Sequence, residues 1–253
     1  AKVGMTDGIR QVLQEESDAL RAYYEQAGIL IARPAGGTSC RLAISAKGGT
    51  NAENHNHNDV GSYAVALGSE TMVGDQGGPN SYPGDYFNGD APQKYKIKGS
   101  FGHPVPVVDG RTQSSGGKAK GVVLQKEFTN EKDVFSINYT SAYSTPNLDK
   151  LIRTFVYDRQ GKGSFTVGDE FTAKTPIRFE TAITTRADWK ILDDTHLLLA
   201  TDSEQMIVAI EAFGKVAFTS ETIEVNSPAY TRIGIALKNQ SKEGYIRLKM
   251  YTK

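Results

Sequence analysis

One cysteine, Cys40, stands in 253 residues, together with one tryptophan and four histidines. A lone cysteine closes no internal disulfide, so cysteine usage neither demands nor excludes an oxidising compartment, and Cys40 reads as a small buried filler. Charge of one sign is equally absent, with 29 basic and 29 acidic residues giving a formal net charge of zero. Nothing collects phosphates at long range, which argues against nucleic acid or a membrane surface as partner. No apolar run approaches the roughly 20 residues that span a bilayer, and no basic segment followed by an apolar core opens the chain. The chain starts on Ala1 and reads as processed or cut from something longer.

What is present is strand texture. Residues 6–24, "TDGIRQVLQEESDALRAYY", place Ile9, Val12, Leu13, Leu20 and Tyr23 at approximate helical spacing after a Thr6 or Asp7 cap, which predicts one amphipathic helix. Glu16 and Ser17 interrupt its apolar stripe, as in a helix that lies on something else. From Gly28 on, short alternating or β-branched runs such as "CRLAISAKG", "DVFSINYTSAY" and "MIVAIEAFG" are punctuated by Gly, Asn and Asp. At least a dozen such segments and no second helix predict an all-β chain, a large antiparallel β-sandwich with one short N-terminal helix. The boundaries this gives are 1–27 for a helical linker or remnant and 28–253 for the sandwich. Residues 74–121, crowded with Gly, Pro, Ser, Tyr and Lys, predict a long functional loop, and Tyr82, Tyr86, Phe87 and Tyr95 favour an ordered one.

The chemistry concentrates in "NAENHNHNDVGS", residues 51–62. Read as a strand, 54–59 would project His55, His57 and Asp59 to one face. Two neutral imidazoles suit zinc, with Asp75 after "VALGSETMV" and His103 in "FGHPVP" as the further ligands. The bland alternative is a set of solvated polar residues. A rival pattern uses the same letters: His57, Asp59 and His103 spell the two-histidine, one-carboxylate triad of non-haem iron oxygenases, with Arg111 as a co-substrate anchor. His196 reads as a strand-edge residue and Trp189 as packing. Lys94, Lys96, Lys98 and Arg111 either offer cations to an anionic glycan or lie on a solvated surface, the surface being the default.

"NHNHNDVGSY" followed by "VGDQG" resembles the C-terminal β-domain signature of the heparinase II/III-like polysaccharide lyases, and "RTFVYDRQGKGSFTVGDEF" at 153–171 is similar to that family's later strands. The resemblance runs from about Gly28 to the end. It implies a sandwich that works with an N-terminal α/α toroid on uronic-acid-containing polysaccharides in the periplasm or outside the cell. It implies His55 as the cleft histidine, catalytic or charge-neutralising, and zinc held by His57, Asp75 and His103, with Asp59 a structural partner. The toroid is almost wholly missing from these 253 residues, so this portion is expected to turn over little substrate by itself. A non-enzymatic, metal-stabilised glycan-binding module is the alternative of a different class.

Overall fold

Alternation sets the strands. In Leu42–Lys47 the residues Leu42, Ile44 and Ala46 are buried and their neighbours half-buried, and Tyr63–Leu67 repeats the pattern with Tyr63, Val65 and Leu67, as a sheet with one face on a core requires. The computed structural model describes residues 19–74, 78, 79, 81–224 and 228–253. Among these residues three antiparallel sheets form.

The first sheet has the order β1 (Arg21–Tyr24), β2 (Ile29–Ala32), β3 (Leu42–Lys47), β5 (Tyr63–Leu67), β6 (Glu70–Val73). The second runs β13 (Asp188–Asp193), β14 (His196–Ala200), β15 (Gln205–Ala212), β18 (Ser241–Thr252), β11 (Ser164–Ile177), β10 (Leu148–Asp158), β9 (Lys132–Asn138), β8 (Gly116–Phe128), β4 (Gly49–Asn51). The third is β16 (Val216–Ile223), β17 (Tyr230–Leu237), β12 (Phe179–Thr185), β7 (Val107–Val108).

The two smaller sheets share a layer. Thr184 and Thr185 of β12 donate their hydroxyls to the carbonyls of Gly74 and Met72, and Gly74 N–H donates to Thr184 O, so the end of β6 is stitched to the third sheet. Both face the nine-stranded sheet. The Tyr63 ring lies 6.2 and 5.9 Å from those of Phe155 and Phe165, and Phe171 stacks on Phe179 at 4.7 Å. One continuous apolar cluster holds residues of all three sheets, and burial on that scale is what stabilises the sandwich. Cys40 sits in it, 3.6 Å from Tyr157 Oη.

The all-β expectation holds, and the expected helix does not survive at its C-terminal end. Arg21–Tyr24 form β1, in register with β2 from Arg21↔Ala32 to Tyr24↔Ile29, while residues 6–18 of that segment lie outside the described residues. Tertiary packing overrides the helical spacing here: Tyr23 packs on Phe128 and Phe135 at 5.6 and 5.7 Å, and Arg21 Nε donates to the buried Asp133 at 2.8 Å. The α-helix among the described residues is a single turn, α1 (Ala91–Lys94), inside the long 74–121 segment.

Candidate functional site

Residues 54–59 are not a strand but a turn-rich loop. Polar amides explain the difference: Asn56 N–H donates to Glu53 O at 3.2 Å and its side-chain amide to His57 O at 2.6 Å, local bonds that compete with a ladder. His55 takes a left-handed backbone conformation, φ 58°, uncommon for a residue with a Cβ. The three side chains therefore do not share a face. His55 is exposed, His57 half-buried and Asp59 buried.

Asp59 pairs with Lys47 and accepts from Ser62, while its N–H is held by Asn51 Oδ1 at 3.0 Å. It fixes the turn. The triad of His57, Asp59 and His103 consequently does not assemble: among the described residues no three His, Cys, Asp or Glu side chains group as a metal site. That removes the iron-oxygenase pattern.

His57 and His103 do meet, although 46 positions apart, with ring centroids separated by 5.2 Å. His103 is fully buried. His57 Nε2 lies 3.2 Å from Tyr86 Oη. Asp75, the third expected ligand, lies outside the described residues; the chain leading to it is anchored at Gly74 by the bonds to Thr184.

The convergence of the two histidine loops has a visible cause in β10 and β11. Arg153 and Asp169 are directly opposed in register, both point into the core, and both are essentially inaccessible at 0% and 1%. Their ion pair is bidentate, Nε to Oδ1 at 2.7 Å and Nη2 to Oδ2 at 2.6 Å, the strong geometry for this pair. Arg153 Nη1 then donates to Gly61 O and Pro104 O, each at 2.7 Å. One guanidinium thus ties the carbonyl just after the "HNHNDV" loop to the carbonyl just after His103. Tyr139 Oη and Thr181 Oγ1 donate to the Asp169 carboxylate at 2.6 and 2.8 Å, and burial drives the Tyr139 phenol well above its ordinary pKa, so it remains a donor.

A second brace is Gln113. Its amide donates to Val60 O at 2.7 Å and accepts from Val60 N–H and Asn51, while Asn58 donates to Gln113 O and Ser115 Oγ. Gln113 thus braces the base of the histidine loop at Asn51, Asn58 and Val60.

Above it lies an open cleft of about 270 Å³ lined by Asn54, His55, Asn56, Phe87, Lys98 and Ser115 among others. His55 meets the Phe87 ring edge-on at 4.9 Å. Phe87 belongs to an aromatic cluster with Tyr82, Tyr86 and Tyr95, whose centroids are 5.0 to 5.4 Å apart and whose centre, Tyr86, is buried. The aromatics of the long segment pack on one another. Lys94 with Asp85 and Lys96 with Glu221 are surface ion pairs; the Lys94 ammonium and then the Tyr95 hydroxyl hold the Asp85 carboxyl below its usual range. Lys98 departs from the surface reading. It is 6% exposed, donates to Tyr86 O, and burial pulls its pKa down.

Sequence reasoning missed Arg153, Asp169 and Gln113, and took the surface as the default for Lys98, which it weighed as a cation for an anionic glycan. For the first two a signal existed: in "KLIRTFVYD" and "SFTVGDEF" the charged residues fall on the same period-2 face as Leu151, Phe155, Phe165, Val167 and Phe171, and an inward charge in a core strand must be paired.

This geometry defines a class: an antiparallel β-sandwich with a buried arginine-carboxylate pair under two histidine loops. Solved structures share the sandwich fold. The chain is similar to the heparan sulfate lyase HepC from Pedobacter heparinus (TM-score 0.73, 15% identity, 93% of this chain and 37% of that one). It is similar to a structure described as heparinase III (TM-score 0.71, 18% identity, 92% and 36%) and to a second heparinase III gene product (TM-score 0.73, 12% identity, 93% and 36%). The chain thus has a heparinase-like β-sandwich fold and spans little more than a third of the length of these proteins. No protein-family model matches the sequence, and no curated protein matches it. Among the described residues no helix is long and apolar enough to cross a membrane.

Proposed function

We propose that this chain is the β-sandwich part of a polysaccharide lyase that cleaves uronic-acid-containing glycans by β-elimination, acting in the periplasm or outside the cell. The observation that carries the proposal is the cleft: His55 exposed in it, in the loop that also brings His57 against His103, in a fold shared with a heparan sulfate lyase.

Elimination removes the C5 proton of a uronate, which becomes acidic enough when the adjacent carboxylate is neutralised and the developing enolate charge is stabilised; an acid then protonates the departing O4. His55 supplies one such group, to the carboxylate or to a proton at its ring nitrogen. The fixed loop beneath it and the Phe87 edge orient the imidazole. The remaining groups come from a helical domain that faces this cleft in the complete enzyme, because one side chain leaves either the carboxylate or O4 unattended.

His57 and His103, with Asp75 as third ligand, suit zinc by donor chemistry: two imidazoles in near contact, one with a ring nitrogen on a phenol oxygen, the kind of outer partner that orients a ligating histidine. With Nε2 on Tyr86, the ligating atom of His57 would be Nδ1. Bound zinc would supply fixed positive charge that pins the loops; the reaction steps belong to the side chains.

The test is product absorbance at the unsaturated uronate chromophore, with the enzyme complete with its helical domain on heparin, heparan sulfate, chondroitin sulfate and alginate. We expect turnover on at least one glycan and a fall of about 10²–10⁴-fold in His55→Ala, with melting temperature nearly unchanged because the His55 side chain is exposed and alanine keeps a Cβ at the same backbone conformation. Equal rates in both proteins remove His55 from the chemistry.

A further inference from the structure

Among the described residues Lys98 is a buried cation with no anion paired to it. No ion pair to it occurs among the described residues, and burial is the one influence moving its pKa. Its ammonium carries three N–H donors, and the hydrogen bond it makes runs to Tyr86 O. The charge is otherwise held against two ring faces, 4.8 Å from the Tyr86 centroid and 5.0 Å from that of Phe87, the geometry of cation–π attraction. Such rings stabilise a cation without neutralising it. Its backbone is fixed as well, since Lys98 O accepts Asn58 N–H at 2.9 Å, from inside the histidine loop. Lys98 lines the cleft, and the ring that holds it, Phe87, is the ring His55 touches. Imidazole and ammonium therefore flank one aromatic side chain.

A partly desolvated ammonium with no anion paired to it among the described residues is costly to keep and is favoured when an oxyanion arrives. The other cleft-lining polar groups are largely amides and hydroxyls, Asn54, Asn56, Asn58, Asn88 and Ser115, with one carboxylate, Glu53, whose Oε1 already accepts from Thr50 at 3.0 Å. We infer that Lys98 is the anion receptor of this cleft, binding one oxyanion of the glycan, a carboxylate or a sulfate, next to His55. The inference deepens the lyase reading and rests on it for the nature of the ligand, but its test needs no turnover.

Calorimetric titrations of the full chain, as wild type, Lys98→Met and Lys98→Arg, would use three heparosan-type tetrasaccharides: carboxylated and unsulfated, carboxyl-reduced and sulfated, and carboxyl-reduced and unsulfated. The expected result is that Lys98→Met loses affinity at least about tenfold for one anionic oligosaccharide, that Lys98→Arg retains part of it, and that the neutral oligosaccharide binds all three proteins equally. The anionic oligosaccharide affected identifies carboxylate or sulfate. Unchanged affinity of a folded Lys98→Met for both anionic probes overturns the inference. Should Lys98→Met fail to fold, acetylation of wild-type Lys98, followed by peptide mass spectrometry, decides: it slows several-fold with bound anionic tetrasaccharide, or it does not and the inference falls. Lys98-dependent binding without lyase activity would sustain the receptor and overturn the lyase.

Discussion

Replacing Arg153 by methionine is expected to destabilise the protein by about 3–5 kcal/mol, the cost of breaking a buried ion pair by removing one partner, which for a chain of this size lowers Tm by roughly 6–20 °C. The side chain is at 0% exposure and its removal strands three groups at once: the Asp169 carboxylate, Gly61 O and Pro104 O. Thr181 and Tyr139 still donate to Asp169, but neutral donors do not offset a buried negative charge. Thermal melts and urea unfolding measure the loss. The double variant Arg153→Met with Asp169→Leu separates stability from geometry. Removing both charges recovers much of the lost free energy, because a well-packed apolar pair can replace a buried salt bridge. It does not restore the link between the two loops and leaves Gly61 O, Pro104 O and the Tyr139 and Thr181 hydroxyls without these partners, so the double variant is expected to melt between the single variant and wild type while binding zinc poorly. If Arg153→Met melts within 2 °C of wild type, the tie between the loops is not what holds them.

The second large effect is metal removal. The chain is expected to bind about one zinc per molecule through His57, Asp75 and His103, and saturating zinc at a thousandfold its Kd would stabilise the fold by roughly 4 kcal/mol. Chelation should then lower Tm by roughly 8–16 °C, reversibly on adding zinc back. His57→Ala and Asp75→Ala should each lose stoichiometric zinc and most of the response to chelator. His55→Ala should keep both. Elemental analysis together with melting curves reads all of this. A Tm indifferent to chelator, in a protein that binds no zinc, would contradict it.

The strands were legible because alternation is local. "LAISAK" and "YAVAL" announce a buried face whatever they pair with. The segment at 21–24 was misread for the opposite reason: its residues are compatible with either period, and the decision is made by β2, Phe128 and Phe135, which lie elsewhere in the chain. In the site, the partnership of His57 with His103 could be expected from the family resemblance, whereas the strand geometry read into 54–59 could not hold. Asn56 bonds to the loop's own backbone, and Asn58 and Asp59 bond to Gln113, Lys98 and Lys47, rather than to a ladder. The burial of Lys98 was not legible, since a lysine among "KYKIKG" has the surface as its default. Only the fold of the aromatic cluster over it shows that its charge is enclosed.

The claim on which the rest depends is that the two histidine loops converge to hold one cation beside the His55 cleft. Anomalous diffraction at the zinc edge, from crystals grown with zinc, tests it most directly. The account predicts one strong peak bonded to His57, His103 and the Asp75 carboxylate, with His55 outside the coordination sphere. A peak elsewhere, or none between the two imidazoles, would contradict it.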